Sequence, residues 1–263
     1  MKNQMNLKWT IMRLFDISLR LPRTMRTVAT IVLCLLLLPI VAPVLSTTAS
    51  LIDAGQTEQI NEKVVAWQQL NDGKVMMVTG SGTLSVNTFE AGTHTEVWSL
   101  DLNVSANSAR VDSGENLVSV AHESGVVVVQ MTQQIITQYI NTSNPVDTVD
   151  WDNDGDVWVG YFAGQRRAEE WSGGTPSGVV TGSHTGGMTA MVITSDGHIL
   201  TAGYDNRVKV HDNSGTMIQQ LTDMTSAVSA IQLDAQGRLL VGTTGGDLFR
   251  YNLTDYTYGT ISI

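Results

Sequence analysis

Residues 194–202 read TSDGHILTA, a polar turn closed on a glycine and followed by an apolar run. The same phrase recurs as LNDGKVMMV at 70–78, VDSGENLVS at 111–119, DNDGDVWVG at 152–160 and DAQGRLLVG at 234–242. Its glycines, Gly73, Gly114, Gly155, Gly197 and Gly237, stand 41, 41, 42 and 40 residues apart. A constant period of that size is the mark of a repeat architecture.

Working outward from each glycine, a short apolar run precedes it (VVAWQQL, SANSARV, VDTVDW, MTAMVI, VSAIQL) and a β-rich run follows. A second turn comes about nine residues on, at Gly82, Gly125, Gly164, Asp205-Asn206 and Gly245-Gly246. Two further β-type runs complete each unit, and strands such as Arg207-Val208-Lys209-Val210 alternate as a half-buried sheet requires. Beyond Ser50 the nearest approach to a helical period is the short 56–67 stretch. Four short strands per ~40 residues predict an all-β chain, a β-propeller of about five four-stranded blades over 63–263. A sandwich would not require the common period. Five repeats leave three arrangements open: a closed ring, part of a larger ring, or a fragment. Ser50–Ala54 offers a spare outer strand.

Residues 182–212, GSHTGGMTAMVITSDGHILTAGYDNRVKVHD, resemble one repeat of the WD-repeat β-propeller family. His184 follows Gly182 and Ser183 where the family has Gly-His, Asp205 occupies the turn, and His211-Asp212 replaces the closing Trp-Asp. Trp171-Ser172 and Tyr251-Asn252 hold that place in two other repeats. The resemblance implies a hydrogen-bonded network of His, Asp, Ser or Thr, and Trp that ties strands together. His184 and Asp205 are therefore expected to be structural. Ala202 falls at the Ser/Thr position, so the network is expected to be incomplete.

The chain ahead of the repeats has a different character. Residues 1–26 carry six basic side chains against Asp16, a net of +5, and VATIVLCLLLLPIVAPVLS follows at 28–46. A basic flank, an apolar run and small residues at its exit predict a signal peptide or membrane anchor over 1–46, a hydrophobic helix, with 47–62 as lead-in. Met25 is the alternative start. The sole cysteine, Cys34, lies within the apolar run, which leaves no thiol or disulfide in the exported part.

After residue 26 the chain holds nine Lys and Arg against 24 Asp and Glu, a net of −15. Such a body repels phosphate backbones, so nucleic acid is not an expected partner. The chemistry-bearing candidate is Asp150, Asp152, Asp154 and Asp156, alternate carboxylates about Gly155 that suit an oxygen-loving cation such as Ca²⁺. The pattern then departs from an EF-hand loop, whose closing Glu is Tyr161 here. The five histidines lack metal-ligand spacing, and the sequence contains neither a nucleophile elbow nor a phosphate loop. Trp67, Trp98, Trp151, Trp158 and Trp171 are expected between blades.

These features predict an exported non-catalytic propeller, extracellular or at the cell surface, serving as a protein-interaction or envelope scaffold module. Its expected partner is another protein or an envelope component, with membrane contact only through an uncleaved N-terminal segment. No cofactor is expected beyond Ca²⁺. The alternative is a propeller enzyme or a cofactor- or metal-binding protein, quinoprotein-like or calcium-dependent.

Overall fold

The structure, a computed structural model, describes residues 62–90 and 93–261. The expected signal or anchor, Cys34 and the lead-in through residue 61 lie outside the described residues. Blade 1 comprises β1 (Val64–Gln69), β2 (Val75–Thr79), β3 (Thr83–Glu90) and β4 (Thr93–Asp101). Blade 2 comprises β5 (Ala106–Val111), β6 (Leu117–His122), β7 (Gly125–Gln130) and β8 (Ile135–Asn141). Blade 3 runs β9 (Thr148–Trp151), β10 (Val157–Gly160), β11 (Ala168–Ser172) and β12 (Thr175–Val180). Blade 4 runs β13 (Met188–Ile193), β14 (Ile199–Gly203), β15 (Arg207–His211) and β16 (Met217–Leu221). Blade 5 ends the series with β17 (Val228–Leu233), β18 (Leu239–Thr243), β19 (Leu248–Tyr251) and β20 (Tyr258–Ile261). Each sheet is a four-stranded antiparallel meander, so the fold is the expected propeller of five blades.

The turn between the first two strands of each blade explains the period. Gly73, Gly155, Gly197 and Gly237 adopt φ of 84°, 85°, 86° and 72°, the left-handed region where glycine carries no Cβ penalty. In blade 2 that place belongs to Glu115 (φ 54°), not Gly114. The hairpin there is one residue longer: Asp112 N–H reaches Leu117 O, whereas Asp152 N–H reaches Asp156 O. Both carboxylate oxygens of Glu115 accept the Asn71 N–H of blade 1, at 2.8 and 3.0 Å. A tie between blades thus offsets the strain of a non-glycine residue.

The core lies between sheets rather than within one. One apolar cluster joins blades 1 and 2 (Met76, Leu84, Val118, Val129), and another joins blades 2 and 3 (Val126, Ile140, Val149, Tyr161). Blades 3 and 4 share Trp158, Met188 and Met191, and blades 4 and 5 share Leu200, Val208, Val241 and Phe249. Among the described residues no such cluster joins blade 5 to blade 1. The register gives the reason. Where blade 4 turns Val192 and Val210 toward the next blade, blade 5 has exposed Gln232 and Arg250. Trp151 and Trp158 are buried between blades as expected, whereas Trp67 of blade 1 is 50% exposed.

Polar ties run along the inner strands. Gln68, Arg110, Asp150, Val192 and Gln232 occupy equivalent register positions. Gln68 Oε1 accepts the Val111 N–H of the next blade, and Asp150 Oδ2 accepts that of Ile193. Arg110 Nε lies 3.5 Å from Asp150 Oδ1, and its Nη1 reaches Gln232 Oε1 in blade 5.

Candidate functional site

The loop Ser183–Gly187, which carries the chain from blade 3 into blade 4, is pinned from several sides. His184 Nδ1 lies 2.8 Å from Asp205 Oδ1, and its Nε2 lies 2.9 Å from Thr201 Oγ1. An ionised carboxylate only accepts, so Nδ1 donates; the neutral ring then accepts the Thr201 hydroxyl proton at Nε2. Asp205 Oδ2 also accepts the Thr185 N–H. Burial holds His184 below its ordinary pKa, against the pull of Asp205. Burial works to raise Asp205, but the hydrogen bonds from His184 and the Thr185 N–H and the nearby Lys209 charge together outweigh it and keep the carboxylate below the ordinary value.

The gap expected at Ala202 is filled, although the four-member network stays open at its closing position, where His211 bonds Ile199 O and the Gly182 N–H instead. Thr201, one residue before Ala202, supplies the hydroxyl, because strand alternation turns Thr201 toward His184 and Ala202 into the opposite core. His211, on the next strand, donates from Nδ1 to Ile199 O (3.1 Å) and accepts the Gly182 N–H at Nε2 (3.2 Å). It is fully buried, and burial pushes its pKa down to about 4. Asp205, His184 and Thr201 have the order of a charge-relay triad. Thr201 is 0% exposed, however, which makes the trio a closed tie.

Above this tie sits an aromatic platform that sequence reasoning missed. Phe162 caps the β10–β11 hairpin and Tyr204 the β14–β15 hairpin; their rings meet edge to face at 5.4 Å and 84°. They are 40% and 51% exposed. Both rest on the bare backbone of Gly186-Gly187: a Cβ at Gly187 would overlap the Phe162 ring, and one at Gly186 would lie 2.8 Å from Tyr204 Cβ. Arg166 Nη1 donates to Thr185 O at 2.9 Å and Lys209 Nζ to Ser183 O, so both hairpins clamp the same loop. Asp147 turns its carboxylate beneath the platform to accept the Phe162 N–H at 2.7 Å. The Gly186-Gly187 pair was the available signal, but glycine runs equally announce plain turns.

The acidic hairpin divides. Asp150 faces Arg110 and Ile193 on the inner strand, away from its supposed partners. Its pKa is raised because burial penalises the anion more than Arg110 and two backbone N–H groups relieve it. Asp154 is exposed at the turn. Asp152 and Asp156 do converge, and Glu170 of β11 joins them: one oxygen of each lies within 4.8 Å of the others. Burial and the charges of Asp152 and Asp156 raise the Glu170 pKa. Asp152 is already committed, with Oδ1 accepting the N–H groups of Asp154 and Asp156 and Oδ2 that of the Trp158 indole.

No protein-family model matches the chain, and no curated protein matches it.

Proposed function

We propose that the chain is an exported, non-catalytic propeller that works as a protein-interaction module, with WD-repeat-like ties in blade 4. The observation that carries this reading is the platform, where two large aromatic side chains stand exposed on a loop held by two hairpins. Exposed aromatic anchors on rigid supports are what protein interfaces use, since little side-chain entropy is lost on docking. The basic leader and apolar run support export. Two measurements test the reading. The mature N-terminus should begin beyond residue 46; a soluble cytosolic protein beginning at Met1 would refute export. A photo-crosslinking residue at Tyr204 should label one partner protein in cells, and the same residue at the exposed Gln236 should not. Equal labelling from both positions would refute the interaction surface.

A calcium-dependent reading stands second, on the convergence of Asp152, Asp156 and Glu170. Carboxylate oxygens suit Ca²⁺, which takes six to eight ligands, but Asp152 already accepts three hydrogen bonds, two of them at Oδ1.

A further inference from the structure

We infer that the Phe162–Tyr204 platform docks an acidic peptide segment of a partner protein, one that carries a large apolar side chain among its carboxylates. The inference rests on the interaction-module reading and adds the chemistry of what docks. The body is strongly acidic, yet four of its nine cations, Arg166, Arg167, Arg207 and Lys209, belong to the two hairpins of the platform. Lys74, Arg110 and Arg238 are paired with Asp72, Asp150 and Asp234. Among the described residues none of the platform's four cations lies within 4.0 Å of a carboxylate.

Their contacts are neutral: Thr185 O for Arg166, Gln165 Oε1 for Arg167 and Ser183 O for Lys209. The nearby carboxylates are spent inward, Asp147 on the Phe162 N–H and Asp205 on His184 and Thr185. Lys209 is offset through space by Asp205, but among the described residues Arg166, Arg167 and Arg207 stand outside any direct ion pair, on a molecule that elsewhere repels anions.

The two exposed arginines, Arg166 and Arg207, offer planar donor forks that match carboxylates. The edge-to-face rings present one face beside one edge, a notch for a branched or aromatic side chain rather than a flat stacking surface. A long polyanion suits the site less well, because beyond a Debye length of about 8 Å it would meet the acidic remainder of the body. A short segment whose few charges fall on the patch avoids that repulsion.

The probe is a fluorescein-labelled pentapeptide of two glutamates, one phenylalanine and two glutamates, titrated against the purified full chain by fluorescence anisotropy. Saturable binding is expected, weakening about fivefold or more between 50 and 300 mM salt. Replacing the probe's phenylalanine by alanine should weaken it about tenfold, as should Arg207→Glu or Tyr204→Ala in the protein with melting temperature unchanged. Absence of saturable binding, equal affinity for the alanine probe, or indifference to Arg207→Glu would overturn the inference. An oligogalacturonate that binds more tightly than the peptide and ignores Tyr204→Ala would overturn it in favour of an anionic glycan. Partner labelling from Tyr204 that survives Arg207→Glu would leave the interaction module standing and remove only the acidic ligand.

Discussion

Thr201 Oγ1 stands 2.9 Å from His184 Nε2, with both side chains buried at the entry to blade 4. Removing the hydroxyl strands a buried ring nitrogen. Thr201→Ala should therefore cost about 1–3 kcal/mol, and Thr201→Ser should recover most of it. Urea unfolding followed by circular dichroism reads both; equal losses would assign the effect to the methyl group instead.

His211 makes stability depend on acid. Its bond to Ile199 O survives protonation, but its bond from the Gly182 N–H requires the neutral ring, and burial pushes its pKa down to about 4. Unfolded, the ring titrates near the ordinary 6.5. Between those values the unfolded chain binds a proton that the folded one refuses. Stability is thus full above about pH 6.5 and falls by roughly 2–3 kcal/mol as pH drops toward 4. His184, shifted the same way, adds to the slope. His211→Gln keeps an acceptor and cannot titrate, so its unfolding free energy should fall less between pH 7 and 4.5. An unchanged slope would clear His211.

Glu115 stands at φ 54° in the one turn of the five where the equivalent residue is not glycine. Glu115→Ala loses the tie to Asn71 N–H and keeps the left-handed strain, whereas Glu115→Gly loses the tie and relieves the strain. The alanine variant should be the less stable of the two by about 1 kcal/mol. A reversed order in thermal melts would contradict the assignment of strain.

Three carboxylates converge at Asp152, Asp156 and Glu170, and Glu170 has its pKa raised by burial and by the other two. A group raised on folding loses its stabilising share as pH climbs through its folded pKa. Glu170→Gln should therefore stabilise the cation-free protein at pH 7, by up to about 1 kcal/mol. On the calcium-dependent reading, 1 mM Ca²⁺ raises the melting temperature of the wild type and not of Glu170→Gln. Identical melting temperatures of the wild type with and without Ca²⁺ would retire that reading.

Phe162 depends on the bare backbone beneath it, so Gly187→Ala should push its ring away from Tyr204. The expected signature is a change in the near-ultraviolet circular dichroism with secondary structure intact. An unaltered spectrum would show that the platform tolerates a Cβ.

The period of about 41 residues, the Gly-centred turns and the alternating strands were enough to number the blades, while the tie of His184 and Asp205 was legible only through the WD-repeat resemblance of residues 182–212. Those features are local. Turn geometry demands particular φ angles, and a half-buried strand demands alternation, so each is written within a few residues. The one-residue slip from Gly114 to Glu115, and from Ala202 to Thr201, came from reading position without register. A hairpin longer by one residue, or a face reversed by one, leaves the composition unchanged. The acidic hairpin divided for a related reason: Asp152 and Asp156 converge, but Asp150 and Asp152 lie two apart and the strand ends between them. Asp150 therefore meets Arg110, 40 residues away in the chain, while Asp152 turns back on its own loop and toward Glu170. Sequence by itself determined the architecture, because repetition makes local preferences add up to one fold. Only tertiary structure decided which side chains are left over. The exposed ring pair, the unpaired arginines and the blade 5 face bearing Gln232 and Arg250 all depend on what neighbouring blades fail to cover.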